Sequence, residues 1–219
     1  MKVTISLVST TYNEIRYIRE FMDSIRSLGA NEIVIVDNFS DDGTYEYLKT
    51  ENVSLYQIAC NRGEGRNLAV SHAKSEYVLM LDADNHYYLE NIDFGALVDG
   101  KLHVLVDLFH NNMGCYFGPR QLFIEHPFAP TQVHEDISFF TDNVRLIKYN
   151  RIYGLGHPLN PKNDRTGSFP FWFPLIAKFP IWLNALGYSR SEIIDRSREN
   201  GFLQSVISRC YVAYKGGIK

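Results

Sequence analysis

Two carboxylates two positions apart close the greasy run Tyr77-Val-Leu-Met-Leu-Asp82-Ala-Asp84. An apolar run of this length, rich in strand formers, reads as a buried parallel strand, and ligands of open α/β sheets sit outside the carboxyl ends of such strands. Asp82 and Asp84 therefore emerge where a ligand would be. One carboxylate can point at a metal and the other at its shell or at a sugar. Oxygen ligands of this kind suit Mg²⁺ or Mn²⁺ carrying a substrate diphosphate. An ordinary Asp-rich turn has the same spacing and no chemistry, so the rest of the chain must decide.

Three earlier segments end in the same way. Val3 to Ser9 reads as a first strand and leads into Thr10-Thr11-Tyr12-Asn13-Glu14. Glu32 to Val36 reads as a second, followed by Asp37-Asn38-Phe39-Ser40-Asp41-Asp42-Gly43-Thr44. Val53 to Ile58 is a third and leads to Asn61-Arg62-Gly63-Glu64-Gly65-Arg66-Asn67. Helical stretches separate them: Asn13 to Leu28, with Ile15, Ile18, Met22, Ile25 and Leu28 on one stripe, then Asp42 to Thr50, then Glu64 to Ala73. With Tyr77 to Leu81 as the fourth strand, the order is βαβαβαβ. That order predicts a mostly parallel sheet with helices on both faces and all four polar turns on one edge. Four such turns on one edge describe a binding site.

Beyond Asp84 the rhythm breaks. Leu102 to Leu108, Cys115 to Ile124 and Val144 to Tyr149 are expected strands, and a helix is expected over Ser191 to Arg209, where Ser189 and Glu192 have capping-box spacing. The 219 residues are 45% hydrophobic, enough for a substantial core, and a net charge of −3 gives no reason to expect nucleic acid as a partner. Three scattered cysteines, Cys60, Cys115 and Cys210, suggest neither a disulfide framework nor a zinc site. Together with an N-terminal apolar stretch too short for a signal peptide, they point to a reducing, cytoplasmic setting.

The order Thr-x-Asn-Glu, Val-Asp-Asn-x-Ser-x-Asp-Gly-Thr, Asn-x-Gly-x-x-Arg-Asn, Leu-Asp-Ala-Asp resembles the family 2 glycosyltransferases, over about residues 3 to 140. The resemblance implies an α/β chain of GT-A fold using a nucleoside diphosphate sugar, UDP more than GDP. Residues 1–165 would form that domain, divided into a nucleotide-sugar half (1–90) and an acceptor half (91–165), with 166–219 as an aromatic and helical extension. By position, Thr11, Tyr12 and Glu14 would lie along the nucleoside, with Tyr12 stacking on the base. Asp37 would accept from base or ribose, Arg66 would approach base or diphosphate, and Asp82 would contact ribose or donor sugar. Asp84 would hold the Mg²⁺ or Mn²⁺ that bridges the phosphates, with Asp82 beside it.

The same resemblance places an acidic pair in the acceptor half, and His134-Glu135-Asp136 fits it. Asp136 is the expected general base of an inverting transfer to an acceptor hydroxyl or lipid phosphate, with Glu135 its nearest rival. Gly118-Pro119-Arg120-Gln121 resembles the segment lining the acceptor cleft. His157, or His134 in its stead, is the candidate histidine on the metal. The Gln/Arg-x-x-Arg-Trp signature of processive polysaccharide synthases is missing, which argues against polymerisation. A Gly-rich loop after the first strand is missing too, which argues against a nucleotidyltransferase or a dinucleotide dehydrogenase. The alternative from another class is a non-catalytic sugar-nucleotide or glycan-binding module, and the presence of Asp82, Asp84 and Asp136 together argues against it.

Residues 169–186 concentrate Phe, Trp and Pro, and three prolines with Lys178 argue against a membrane span. Three readings stay open: packing as core, a homodimer face, or an aromatic contact on the cytoplasmic membrane face. Residues 188–219 carry six Lys/Arg against three acids, which suits anionic lipid or a lipid-phosphate acceptor. The acceptor itself, whether glycan, lipid-linked or protein, is left open.

Overall fold

The computed structural model describes residues 3–107, 115–132, 135–143, 145–152 and 155–160. The chain divides into two units, Met1–Asp164 and Arg165–Lys219, and every described residue lies in the first. The expectations for His134, Val144, residues 169–186 and the helix at 191–209 lie outside the described residues.

In chain order the elements are β1 (Ile5–Thr11), α1 (Ile18–Arg26), β2 (Glu32–Asp37), α2 (Thr44–Leu48), β3 (Ser54–Gln57), α3 (Arg62–His72), β4 (Tyr77–Met80) and β5 (Asn85–Tyr87). There follow β6 (Leu102–Asp107), β7 (Cys115–Pro119), α4 (Arg120–Glu125), α5 (Glu135–Asp142), β8 (Ile147–Ile152) and β9 (Gly156–Pro158). Seven strands form one sheet in the order β3-β2-β1-β4-β7-β6-β8, and β5 pairs with β9 in a separate ribbon. Every pairing in the large sheet is parallel except the two made by β7. Thr11 lies level with Asp37, and Asp37 with Gln57, so the carboxyl ends of the first strands share one edge, as the βα alternation predicts.

Both sheet faces are buried, which is why β1, β2 and β4 read as nearly continuous apolar runs. Leu7, Ile35, Leu79 and Phe117 pack with Ile18, Phe21, Met22 and Ile25 of α1 in one cluster. Their alternating neighbours Val8, Val34, Val36, Val78 and Met80 are buried as well, because successive strand residues face opposite sides. α1 starts at Ile18, five residues later than the expected start at Asn13. Asn13 adopts φ 57°, and the Glu14 carbonyl accepts from the N–H groups of Tyr17 and Ile18, so residues 13–17 form a turn at the sheet edge.

The expected strand from Cys115 to Ile124 is corrected: it ends at Pro119 and gives way to α4. Pro119 cannot donate to a ladder, and the Arg120 side chain instead reaches the Val70 and Ser71 carbonyls at the end of α3. Arg120 thus fastens one helix to another. α5 is held by rings. Phe139 stacks on Phe128 at 4.1 Å between centroids and on Phe123 at 6.0 Å, while Tyr116 meets Phe128 and Phe139 edge-on.

The start of α3 docks backbone against backbone on the segment leading to α5. Asn61 caps the helix with a reciprocal capping box to Glu64, and Gly63 donates its N–H to the Thr131 carbonyl at 3.1 Å. Next to them the Asn67 side chain both donates to and accepts from the Phe128 backbone at 2.9 Å. A Cβ on Gly63 would lie 1.9 Å from the Ala129 carbonyl oxygen. Gly63→Ala should therefore force two backbones apart and cost about 3 kcal/mol, as core overpacking can. Urea unfolding of the variant beside the wild type checks this; a midpoint that does not move would mean the contact is looser than described.

Candidate functional site

Each polar turn at the sheet edge is held by its neighbour. The buried Asp37 carboxylate accepts from the Thr11 hydroxyl, from the Ser40 N–H and hydroxyl, and from Gln57. Asn13 makes further bonds across the first two turns: its N–H donates to the Ser40 hydroxyl oxygen, and its side chain accepts from the Asp41 N–H. Asp42 accepts from the Ile15 N–H and from Thr44, whose hydroxyl in turn accepts from the Glu14 N–H. Thr11 and Asp37, both expected against the nucleoside, are here the internal fastening of that surface. Its outward face carries Tyr12 and Phe39, each 55% exposed on adjoining turns. Phe39 also has φ 54°, a conformation that a bulky residue adopts at an energetic cost. Phe39 stood at a variable position of its motif, so nothing in the sequence marked it.

Glu14 turns into a group of acids. Burial pushes its carboxyl up from 4.5 to about 7, and Asp84, Asp42 and Asp82 add to the shift against Arg62. Four carboxylates gathered from three different turns repel one another and favour a cation among them. The donor set is all oxygen, which fits Mg²⁺ or Mn²⁺. Glu14 was expected along the nucleoside, and only the folded chain reveals its neighbourhood with Asp84.

Asp82 leads to the second half of the site. Its Oδ1 accepts from Arg66 Nη2 at 2.8 Å, and Arg66 Nη1 lies 3.1 Å from Glu135 Oε1. Burial works against the charge on Arg66, but Asp82 and Glu135 hold it firmly cationic. The guanidinium also lies over Tyr116 and Phe128, 5.6 and 5.2 Å from their centroids. Glu135 is 1% exposed and its carboxyl is raised, by burial above all and against the pull of Arg66. Glu135 Oε2 has no hydrogen-bond partner among the described residues. Asp136, the next residue, is half-exposed in the first turn of α5 and near enough to act on Glu135 and Tyr116. The chain from Asp82 through Arg66 to Glu135 therefore brings the two acidic motifs to one place. Within the pair, Glu135 serves the buried ion pair and Asp136 faces outward.

His157 lies on β9, opposite His86 of β5. The Leu159 N–H donates to the Asp84 carbonyl at 2.7 Å, so the ribbon stands directly beside the Asp82–Asp84 turn. The His157 ring faces His86, Tyr88 and Glu20. Neither β5 nor β9 was expected, each being only three residues long.

The model of the family described as "Glycosyl transferase family 2" matches residues 6–151. The glycosyltransferase SunS of Bacillus subtilis is 25% identical over 206 residues, covering 90% of this chain and 43% of SunS. Among solved structures, Staphylococcus aureus TarS 1–349 superimposes with a TM-score of 0.62 at 16% identity, over 87% of this chain and 68% of that one. Glucosyl-3-phosphoglycerate synthase of Mycobacterium tuberculosis, in complex with Mn²⁺, UDP and glucosyl-3-phosphoglycerate, does so with 0.59 at 19% identity, over 85% and 81%. The chain spans less than half the length of SunS.

Two outcomes test the electrostatics. With its carboxyl raised to about 7, Glu14 makes the folded state bind more protons than the unfolded one between about pH 4.5 and 7. Stability should then fall as pH rises through that window in metal-free buffer. Glu14→Gln should flatten the fall, read as melting temperature at pH 5 and 7.5 in EDTA. Arg66→Met should cost about 3–5 kcal/mol by stranding buried Glu135, and adding Glu135→Gln should return much of it. Equal losses in the single and double variants would show that the pair is not coupled.

Proposed function

This chain belongs to glycosyl transferase family 2, and from that premise we propose that it moves one sugar from a nucleoside diphosphate donor, UDP before GDP, to an acceptor hydroxyl or lipid phosphate, with inversion. The observation that carries this reading is the Asp82–Arg66–Glu135 chain, which brings the strand-end carboxylates and the acidic pair of α5 into one site. A non-catalytic module would need the first group and not the second.

Tyr12 and Phe39 flank the base, above the fastened turns of β1 and β2. Asp82, with one oxygen on Arg66 and its side chain a third exposed, offers the other oxygen to ribose or donor sugar. Asp84, with Asp82 beside it, would hold the divalent cation, and Glu14, its carboxyl raised by burial first and by Asp84, Asp42 and Asp82 after it, belongs to the same acidic group. When bound, Mg²⁺ or Mn²⁺ supplies Lewis-acid stabilisation of the diphosphate leaving group.

Asp136 takes the proton from the acceptor oxygen as that oxygen attacks the anomeric carbon. The bond from that carbon to the diphosphate breaks, and the diphosphate leaves with the electron pair. Arg66, locked between carboxylates and rings, keeps the two acidic groups at a fixed separation, which is the positioning that a displacement between two bound partners requires. The likeness to an Mn²⁺- and UDP-bound synthase supports the donor and cation classes. The acceptor is the open half of the proposal: lipid-linked, glycan and protein acceptors all offer the required oxygen. A cytoplasmic location, with residues 169–186 against the membrane or a second copy, completes the reading.

Calorimetry with UDP and Mn²⁺, followed by assays of donor turnover, tests both roles. Asp84→Ala should lose the Mn²⁺-dependent part of UDP binding. Asp136→Asn should bind UDP as the wild type does and lower transfer by at least a hundredfold, the scale of a missing general base. Full transfer by Asp136→Asn would remove the base assignment, and unchanged UDP binding by Asp84→Ala would remove the cation site.

A further inference from the structure

Two arginines at the start of α3 share a helix face and differ in what they are left free to do. Side chains four residues apart on a helix are neighbours, and both Arg62 and Arg66 turn toward Glu135. Arg66 is enclosed and lies 3.1 Å from Glu135 Oε1. Arg62 reaches the same oxygen through Nε at 3.8 Å, beyond hydrogen-bond length, and its side chain is 54% exposed. Among the described residues Arg62 donates through its main chain and not through its guanidinium: its N–H binds Gln132 Oε1 at 3.2 Å. Gly63 beside it is tied to the Thr131 carbonyl. A head with donors to spare thus stands on an anchored root.

The place of that head gives it a use. Burial raises the Glu14 and Glu135 carboxyls, and the charge on Arg62 opposes both rises. Arg62 therefore lies within electrostatic reach of the strand-end acids and of the acidic pair on α5, the two groups between which donor and acceptor would meet. A site so rich in carboxylates repels an incoming phosphate unless cations offset them. Arg66 is already committed to Asp82 and Glu135. A guanidinium presents paired N–H donors in one plane, the match for two phosphate oxygens, and Arg62 has such donors to give.

We infer that the Arg62 guanidinium takes a phosphate group of the substrates, in the donor diphosphate or on the acceptor, and so lets an anion into an acidic site. The inference rests on the transferase reading above and adds to it a residue that the motif does not specify. Arg62 stands at a variable position of Asn-x-Gly-x-x-Arg-Asn, so the contact belongs to this chain. On the donor it would carry part of the charge that grows on the leaving diphosphate as the anomeric bond breaks. On the acceptor it would hold a phosphate beside the acidic pair of α5.

Arg62→Gln and Arg62→Lys in the full chain test this in two arms. UDP titrated by calorimetry into protein holding Mg²⁺ reads the donor side. Inorganic phosphate titrated into protein saturated with UDP and Mg²⁺, followed by its ³¹P line width, reads the acceptor side. Arg62→Gln should bind one of the two at least tenfold more weakly, the scale of a lost charge-assisted hydrogen bond. Arg62→Lys keeps the charge without the fork and should recover part of the loss. Weaker UDP binding assigns the contact to the donor diphosphate, and unchanged UDP with weaker phosphate assigns it to the acceptor. Removing a cation from among acids does not weaken a metal site, so a loss of UDP is direct. Both variants should melt near the wild type, since the exposed head holds no hydrogen bond. The inference is overturned if Arg62→Gln binds UDP and phosphate as the wild type does, or if both variants lose binding equally and melt lower. In either case UDP binding that depends on Asp84 would leave the transferase reading standing. A wild type that binds neither probe overturns both.

Discussion

One buried cation sets the geometry of this molecule. Arg66 is 4% exposed, and a charge so placed is tolerable only while its partners stay in position. Those partners come from two separate segments of the chain: Asp82 from the turn after β4, and Glu135 from the start of α5. The rings of Tyr116 and Phe128 complete its enclosure. Burying an ion pair is weak evidence of stabilisation, because desolvation offsets much of the attraction. Its consequence is instead a fixed register between two halves of the site. Any drift of α5 from the sheet would leave a guanidinium or a carboxylate stranded, so the position of Asp136 inherits the tolerance of that pair.

α3 is what brings Arg66 to this place, and its first turns explain a motif that looks arbitrary in sequence. Asn61 closes the capping box, Gly63 lets the backbone of residues 129–131 approach, and Asn67 clasps Phe128. Gly65 passes so close to β1 that a Cβ would come within 2.9 Å of the Thr10 methyl. The spacing Asn-x-Gly-x-x-Arg-Asn is thus the requirement of one helix end docking on two neighbours at once.

The sheet was legible in the sequence because its strands are buried on both faces and separated by helices with a clear apolar stripe. β1, β2, β3 and β4 lie within two residues of where those runs put them. The failures have separate causes. β5 and β9 are three residues each, too short for any period to show, and Tyr87 is the one strand former among their six residues. The start of α1 slipped because Ile15 belongs to the apolar stripe while its N–H is taken by Asp42. The stretch from Cys115 to Ile124 was expected as one strand, and Pro119, which cannot donate to a ladder, together with the Arg120 bonds to α3 explains why it turns helical there.

The sequence pointed to residues that the fold brings together, and left open which of them face outward. Thr11, Asp37 and Arg66 were expected as ligand contacts and Glu135 as the rival base, and each is buried and bonded within the protein. A motif read in one sequence does not separate residues that touch a ligand from residues that hold the ones that do. Burial and partners separate them. Tyr12, Phe39 and Glu14 come from the first two turns, Asp82 and Asp84 from the fourth, and Asp136 from α5, and all keep an accessible face. Behind them, Thr11 and Asp37 fix the first two turns to each other, and Arg66 with Glu135 fixes the fourth turn to α5. A substitution in the front set should alter chemistry with little loss of stability, Glu14 apart, whose raised carboxyl ties stability to pH. The same change in the back set lowers both together, because there the fold and the site rest on the same bonds.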